Sequence, residues 1–288
     1  MTSPSSIQQA ALSERAMALA GKRAFIFDYD GTLVRGDVLI PGTVEALEWL
    51  RLKGHDLAVV SNNSFLDTSE LHQRLVRHGF PVVMANVHTA VSVAADEAVR
   101  RAPRRRVVCA GSAGLAAALE RRGLTLVTSD ADVVVTGMDR DLTYDKLTSA
   151  VEAVLAGAVF VAVNMDRLLV DADRIGPGGG VVAAAVQYAT GRAPDVVAGK
   201  PSTHLLVEAL AGLGRPVAEA CIVGDNPASD VAAGRNLSMT TVLVTTGVTP
   251  SGTTADDGPR ADIELASAAD LPAVLSFQRS PKRGASDE

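Results

Sequence analysis

Short apolar runs alternate with longer segments of helical spacing along most of this 288-residue chain. Two of these runs, Ala24 to Phe27 and Leu57 to Val60, flank the segment Thr43 to Lys53, in which Leu47 and Leu50 recur on one helical face. Strands that alternate with helices are typical of a mostly parallel sheet that is covered by helices on both faces. We therefore predict an α/β fold with a Rossmann-like parallel sheet as its core.

The same alternation continues to about residue 244. Further strands are predicted at 82–84, 107–110, 133–136, 159–163, 221–223 and 241–244, and further helices at 67–78, 89–101, 113–122, 144–156, 181–190 and 202–211. Residues 1–20 are rich in Ser, Gln and Ala and lack a clear pattern, so we expect a flexible N-terminal arm. Residues 278–288 are expected to form a disordered tail.

Composition argues against several classes of protein. Hydrophobic residues make up 47% of the chain and charged residues 21%, which is too apolar for intrinsic disorder. The net charge of −6 provides no basic face, so we expect no nucleic-acid partner. The longest apolar stretch, Ala153 to Val163, is well short of the roughly 20 residues that cross a bilayer.

Cys109 and Cys221 fall in predicted strands and are expected to be reduced. With no secretion signal recognised, we expect a cytoplasmic protein without a membrane partner.

Two acidic side chains follow the first predicted strand. Asp28 and Asp30 stand two positions apart where the strand breaks, and Gly31 permits a tight turn there. Ligands of parallel α/β sheets bind beyond the carboxyl ends of the strands, so both carboxylates are placed to face one crevice. A capping Asp followed by a turn Asp would explain the same motif nearly as well.

Two further motifs carry groups that suit a phosphoryl ligand. Ser61 and Asn62 follow the second strand and offer a hydroxyl and an exposed backbone N–H. Lys200 stands between Gly199 and Pro201 in a bend before a helix, without the Ser or Thr that follows the lysine of a P-loop. An ordinary polar turn and a solvated surface lysine are the alternatives.

A last acidic pair follows the strand at 221–223. Asp225 comes directly after Gly224, and Asp230 stands five positions further on. Because Mg²⁺ is bound by a few carboxylates together with waters and phosphate oxygens, this pair could complete a cation site with Asp28. A helix N-cap with an exposed acid is the alternative.

Taken in chain order, these strand-end motifs resemble the four motifs of the haloacid dehalogenase (HAD) superfamily of phosphohydrolases. Further segments resemble its NagD-like, p-nitrophenyl phosphatase-like subgroup (type IIA, with a C2 cap), namely 137–144, 164–166, 177–180, 191–194 and 199–201. The resemblance covers about residues 22 to 270. It implies a HAD-type core domain over 21–103 and 176–277 and an inserted α/β cap domain over 104–175. The chain has Asn164-Met165-Asp166 where the subgroup usually has Asn-Pro-Asp, at the hinge between cap and core, and Asn226-Pro227 departs from the usual metal loop.

The resemblance implies catalytic and metal roles for the acidic residues. Asp28 is the expected nucleophile, and Asp30 the acid that protonates the leaving group and then the base for the attacking water. Mg²⁺ is expected on Asp28, on the backbone carbonyl of Asp30 and on Asp225. Asp230 would orient the metal site from behind these ligands.

The remaining motif residues are expected at the phosphate. Ser61 and the Asn62 N–H would bind the phosphoryl oxygens, and Lys200 would lie between the nucleophile and the phosphoryl group. In the cap, the loop Asp139 to Asp141 offers polar candidates for the leaving group, with solvated loop acids as the alternative.

The implied function is Mg²⁺-dependent hydrolysis of a small phosphorylated metabolite of the sugar phosphate, glycerol phosphate or phosphoglycolate type, through an aspartyl-phosphate. Two alternatives stay open. One is a phosphotransferase or mutase of the same superfamily, and the other is a non-enzymatic, phosphorylatable receiver-like module, which would need neither Asp30 nor a cap. A homodimer is compatible with the resemblance, because cap-mediated dimers occur in the subgroup.

Overall fold

The computed structural model of the chain describes residues 6–171, 174–247 and 259–277. Within these residues the strands are β1 (Ala24–Asp28), β2 (Val34–Arg35), β3 (Val38–Leu39), β4 (Asp56–Ser61), β5 (Val87–Thr89), β6 (Arg106–Ala110), β7 (Thr125–Leu126), β8 (Val133–Thr136), β9 (Val159–Ala162), β10 (Leu168–Asp171), β11 (Arg174–Pro177), β12 (Val196–Val197), β13 (Ala220–Gly224), β14 (Thr240–Val244) and β15 (Ile263–Leu265). The helices are α1 (Ser6–Ala18), α2 (Thr43–Leu52), α3 (Thr68–His78), α4 (Ala90–Arg101), α5 (Ala113–Arg121), α6 (Tyr144–Leu155), α7 (Gly180–Thr190), α8 (His204–Leu213), α9 (Ala232–Asn236) and α10 (Leu271–Phe277).

The core sheet has six parallel strands in the order β15-β14-β13-β1-β4-β5. Its central strand β1 pairs Ala24 with Ala220 of β13 on one side and with Asp56 of β4 on the other. All five residues of β1 are buried, as expected of a parallel strand that is covered on both faces. The predicted α/β fold with helices on both sides of a parallel sheet is confirmed.

Alternate side chains of β1 enter two separate hydrophobic cores, because successive residues of a strand point to opposite faces. Ile26 packs in the core that includes α4 and α8. Phe25 and Phe27 pack in the core that includes α2, α3 and α10. Both faces of the sheet are thereby removed from water, which leaves its carboxyl-end edge as the place for polar chemistry.

A second sheet has five parallel strands in the order β12-β9-β8-β6-β7. Helices α6 and α7 cover one of its faces, and α4 and α5 cover the other. Helix α4 also contacts β5 of the core sheet. The buried side chains of α4 are mostly small, including Ala90, Ala94, Ala95 and Ala98, and they let the helix fit closely between the two sheets.

The second sheet includes the region that the sequence predicts as a cap, but it draws on more of the chain. Four of its strands lie within residues 104–175, and the fifth, β12, lies beyond them. Helix α7, which also follows residue 175, packs against α6. The predicted boundary therefore stays a prediction, and the topology favours a cap that extends to about residue 197.

One predicted strand is wrong. Residues 82–84 are apolar, yet Val83 and Met84 are exposed, and the strand that joins the sheet is β5, five residues further on. Helix α3 begins with a capping box, since the Asp67 side chain accepts from the Glu70 N–H and the Glu70 side chain accepts from the Asp67 N–H.

The ends of the chain can be compared with the sequence only in part. The predicted N-terminal arm contains α1. Ala16 in the last turn of α1 and Leu19, which follows the helix, are buried. The predicted tail, 278–288, lies outside the described residues. Cys109 and Cys221 are free thiols. No helix in the described ranges combines the length and the apolar character that crossing a membrane requires.

Candidate active site

Parallel pairing brings three of the predicted motifs to one edge of the core sheet. Asp28 is the last residue of β1, Ser61 is the last residue of β4, and Asp225 directly follows β13. These strands are neighbours and run in the same direction, so their carboxyl ends meet at one crevice.

Lys200 reaches this crevice from the second sheet. The chain after β12 continues the pairing with β9, as the Ala198 N–H donates to the Ala162 carbonyl and the Gly199 N–H donates to the Val163 carbonyl at 2.8 Å. The next residue is the lysine, whose position is therefore set by the edge strand of the second sheet.

The Lys200 ammonium lies between two carboxylates. Nζ is 2.5 Å from Asp28 Oδ1 and 2.6 Å from Asp230 Oδ1, and the lysine side chain is 1% exposed. Burial alone would lower the pKa of Lys200, but the charges of Asp230 and Asp28 outweigh burial and raise it. These two carboxylates therefore favour the charged form of the lysine.

Three carboxylates around this lysine are close enough to hold a metal ion. Asp28, Asp225 and Asp230 each offer an oxygen, and these oxygens lie within 4.8 Å of one another. Burial raises the pKa of Asp28 well above its usual range, although Lys200 opposes the shift, and burial together with the Asp230 charge raises the pKa of Asp225 to about 7. One ammonium does not balance these three acids, and a divalent cation that binds hard oxygen donors fits them.

Two glycines keep this acidic cluster accessible. A Cβ on Gly31 or on Gly247 would collide with the Asp225 carboxylate. Gly31 also has a φ of +84°, a conformation that glycine adopts without strain. The backbone at these two positions therefore comes directly against Asp225.

Asp230 is fixed by the turn that carries it. It belongs to a π-helical turn, Pro227–Val231, and its Oδ2 accepts from the Asn226 N–H at 3.0 Å while Oδ1 accepts from Lys200. With both oxygens engaged and 1% exposure, it can hold the lysine in place.

Asp30 differs from its neighbour Asp28 in being exposed. It lies in the turn after β1, where the Gly31 N–H donates to the Val34 carbonyl at 2.7 Å. An exposed carboxyl two residues from Asp28 can exchange protons with solvent.

Ser61 and Asn62 differ in what their side chains contact. Ser61 Oγ accepts from the Asn63 N–H at 3.1 Å, which leaves its own hydrogen available to a ligand. The Asn62 side chain is engaged by the backbone of Lys200. Its Oδ1 accepts from the Lys200 N–H at 2.7 Å, and its Nδ2 donates to the Lys200 carbonyl at 2.9 Å.

The segment after β9 adds contacts for which the sequence analysis proposed no role. Asn164 is 3% exposed, and its Nδ2 donates to the Asn62 carbonyl at 2.6 Å and to Ser64 Oγ at 2.7 Å. Asp166 accepts from Asn62 Nδ2 at 3.2 and 3.3 Å. Both residues follow a predicted strand, as the other motif residues do, and this position was the feature of the sequence that could have indicated a role for them.

In the loop at Asp139 to Asp141, the Asp139 carboxylate is paired with a lysine of α6. Asp139 Oδ2 accepts from Lys146 Nζ at 2.7 Å and Oδ1 accepts from the Asp141 N–H at 2.9 Å. These groups line a cavity of about 620 Å³ beside Cys109. The predicted contact with the leaving group stays a prediction.

Comparison with known proteins gives matches along most of the chain. A family model described as haloacid dehalogenase-like hydrolase matches residues 25–125, and a second, described as HAD-hydrolase-like, matches residues 197–271. The chain is 33% identical over 235 residues to the 5'-nucleotidase YutF of Bacillus subtilis, which covers 82% of this chain and 91% of that protein.

Solved structures share the fold as well. The p-nitrophenyl phosphatase from Archaeoglobus fulgidus superposes with a TM-score of 0.82 at 34% identity, over 88% of this chain and 99% of that one. The glycerol phosphate phosphatase from Mycobacterium tuberculosis, solved in complex with magnesium, gives a TM-score of 0.72 at 31% identity over 81% of this chain and 71% of that one.

Proposed function

The chain belongs to the haloacid dehalogenase-like hydrolases and is a phosphatase, and we propose that it hydrolyses small phosphorylated metabolites with Mg²⁺ through an aspartyl-phosphate on Asp28. The observation that carries this proposal is the position of Lys200 Nζ between Asp28 and Asp230, two acids whose oxygens cluster with those of Asp225. The named activities of the similar proteins, on a 5'-nucleotide, on p-nitrophenyl phosphate and on glycerol phosphate, have a phosphomonoester in common.

Asp28 is suited to attack phosphorus. Its Oδ1 is held by Lys200, so the carboxyl group is oriented and kept from free rotation. In the first step an Asp28 oxygen forms a bond to phosphorus, the bond from phosphorus to the ester oxygen breaks, and Asp30 gives its proton to the departing alkoxide. The alcohol leaves, and Asp28 carries the phosphoryl group.

In the second step a water attacks the same phosphorus. Asp30, now a carboxylate, takes a proton from that water, and the bond between phosphorus and Asp28 breaks. Inorganic phosphate leaves, the Asp28 carboxylate is restored, and Asp30 is again protonated. The exposure of Asp30 supports this role, because a proton carrier must reach both the leaving group and the water.

Charge neutralisation is the second requirement, because a phosphate ester repels an anionic nucleophile. Lys200 provides one positive charge beside Asp28, and the hydrogen of the Ser61 hydroxyl can donate to a phosphoryl oxygen. Asp28, Asp225 and the backbone carbonyl of Asp30 would hold Mg²⁺, which when bound supplies further positive charge to the phosphoryl group.

The test is release of phosphate and p-nitrophenol from p-nitrophenyl phosphate by the purified chain, with Mg²⁺ and after chelation. Hydrolysis gives the two products in equal amounts, stops on chelation and resumes when Mg²⁺ is returned. Transfer to another hydroxyl would release p-nitrophenol in excess of phosphate. A receiver-like module would release neither product catalytically, and this result would overturn the proposal. A panel of nucleoside, glycerol and sugar monophosphates then ranks the substrates.

A further inference from the structure

The Asn62 carboxamide forms hydrogen bonds with both backbone polar groups of Lys200. Its Oδ1 accepts from the Lys200 N–H at 2.7 Å, and its Nδ2 donates to the Lys200 carbonyl at 2.9 Å. These two bonds fix the backbone of Lys200 on the loop that follows β4 of the core sheet. A Cβ on Gly199 would lie 2.7 Å from Asn62 Oδ1, so the two segments are in close contact.

The second hydrogen of Asn62 Nδ2 is used by the cap. Nδ2 lies 3.2 Å from Asp166 Oδ2 and 3.3 Å from Oδ1. An amide group that donates to a carboxylate cannot exchange the places of its oxygen and nitrogen without putting two oxygens together. Asp166 therefore stabilises the orientation of the Asn62 carboxamide in which its oxygen faces the Lys200 N–H.

Asp166 is itself held by a neighbour that is tied to the core. Its N–H donates to Asn164 Oδ1 at 3.1 Å, and Asn164 Nδ2 donates to the Asn62 carbonyl and to Ser64 Oγ. A Cβ on Gly179 would lie 2.6 Å from Asn164 Oδ1 and 2.7 Å from Ser64 Oγ, so the amide of Asn164 has little space in which to turn.

The environment of Asp166 is an unfavourable one for a carboxylate. Burial raises its pKa to about 6, although the hydrogen bond from Asn62 and the charge of Lys200 oppose the shift. An acid kept in such a place at the edge of a catalytic crevice indicates a function more often than a carboxylate on the surface does.

We propose that Asp166 is a positioning residue for Lys200: by orienting the Asn62 carboxamide, it fixes the backbone that carries the lysine, so that Nζ stays between Asp28 and Asp230. The inference rests on the proposed function of Lys200 in phosphoryl transfer. Since Asp166 follows β9 of the second sheet and Asn62 follows β4 of the core sheet, placement of the cap and placement of the lysine are coupled.

The kinetic test compares two substitutions at one position. Asp166→Asn keeps an oxygen that accepts from Asn62 Nδ2, so its kcat on p-nitrophenyl phosphate should stay within about twofold of the unmodified chain. Asp166→Ala removes the acceptor, and we expect kcat to fall about tenfold with KM changed less than about twofold, because the lysine acts on the transition state. The matched control is Asp145→Ala, which removes an exposed acid of the cap in the first turn of α6.

Two kinetic results would overturn the proposal. If Asp166→Asn loses as much activity as Asp166→Ala, the charge of Asp166 acts in the chemistry and not through Asn62. If Asp166→Ala behaves like Asp145→Ala, the contact has no effect on the lysine. Should Asp166→Ala fail to fold, Asp166→Asn still decides, since a folded Asp166→Asn with severely reduced kcat contradicts the positioning role.

A second measurement does not depend on activity. The Lys200 N–H donates to Asn62 Oδ1, so its hydrogen exchange reports how firmly the carboxamide is held. We expect this exchange to be about tenfold faster in Asp166→Ala and unchanged in Asp166→Asn and Asp145→Ala. If the Lys200 N–H exchanges faster in Asp166→Ala but the unmodified chain hydrolyses no phosphate ester, the proposed function is rejected, while the positioning of the Lys200 backbone by Asp166 is retained. Unchanged exchange in Asp166→Ala would reject the inference even if the enzyme is a phosphatase.

Discussion

Lys200 Nζ lies 2.5 Å from Asp28 Oδ1, although the two residues are 172 positions apart in the chain. The core sheet supplies the carboxylate, and the segment that extends the second sheet supplies the ammonium. A contact between two sheets can be made only when both are folded and placed, so the pair of Asp28 and Lys200 depends on both sheets.

Removal of the ammonium is expected to affect activity and stability together. Lys200→Met keeps much of the side-chain volume but leaves Asp28 and Asp230 buried without a cation. We expect kcat to fall by about a hundredfold to a thousandfold, and the free energy of unfolding in the metal-free protein to fall by about 3 to 5 kcal/mol. Steady-state kinetics and urea unfolding measure the two effects.

The metal-free protein should lose stability as pH rises, whereas the stabilisation by Mg²⁺ should grow as pH rises. In the metal-free fold the pKa of Asp225 is about 7, whereas an unfolded Asp titrates near about 4, so the folded protein holds a proton that the unfolded chain releases. A raised carboxyl pKa stabilises the fold at low pH, and this contribution is lost as pH rises through about 7.

Thermal unfolding between about pH 5.5 and pH 8 checks this expectation. With a chelator, Tm should decrease as pH rises, and Asp225→Asn should decrease less. With Mg²⁺ the site binds better as the carboxyls lose their protons, so the Mg²⁺-induced increase in Tm should grow with pH. A Tm difference between the two conditions that does not change with pH would contradict the assignment of Asp225.

The backbone at Gly31 should be required for metal binding. A Cβ at this position would collide with the Asp225 carboxylate, so Gly31→Ala is expected to weaken Mg²⁺ binding by at least about tenfold, as followed by calorimetry. The control is Gly36→Ala, because Gly36 also has a positive φ of 60° but has nothing within 4 Å of an added Cβ. Gly36→Ala should lower stability by about 1 kcal/mol and leave Mg²⁺ binding unchanged. Equal effects of the two substitutions would mean that backbone strain alone explains the loss.

The strands of both sheets were predictable where burial on two faces leaves a continuous apolar run. The strand at 133–136 has the predicted limits, because each of its four side chains is buried and valine dominates the segment. The strand predicted at 82–84 is wrong because an apolar run does not by itself mean that the segment is buried. Val83 and Met84 are apolar but exposed, whereas β5 contains His88 and Thr89 and gains its place by pairing with β4.

Motif residues were predictable because the topology of a parallel sheet brings strand ends together. Asp28, Ser61 and Asp225 each end or follow a strand, and this local signal is visible in the sequence. The role of the Asn62 side chain was not visible, since its partners, Asp166 and Lys200, are 104 and 138 positions away. A side-chain amide can donate to or accept from many kinds of group, so its partners are known only once the folded structure brings distant residues together.

The most direct test of the proposed mechanism is the kcat of Asp28→Asn on p-nitrophenyl phosphate with saturating Mg²⁺. The substitution keeps the size of the side chain and removes the nucleophilic oxygen. We expect kcat to fall by at least about a thousandfold while the circular dichroism spectrum remains that of the unmodified chain. Turnover within about tenfold of the unmodified chain would contradict covalent catalysis by Asp28.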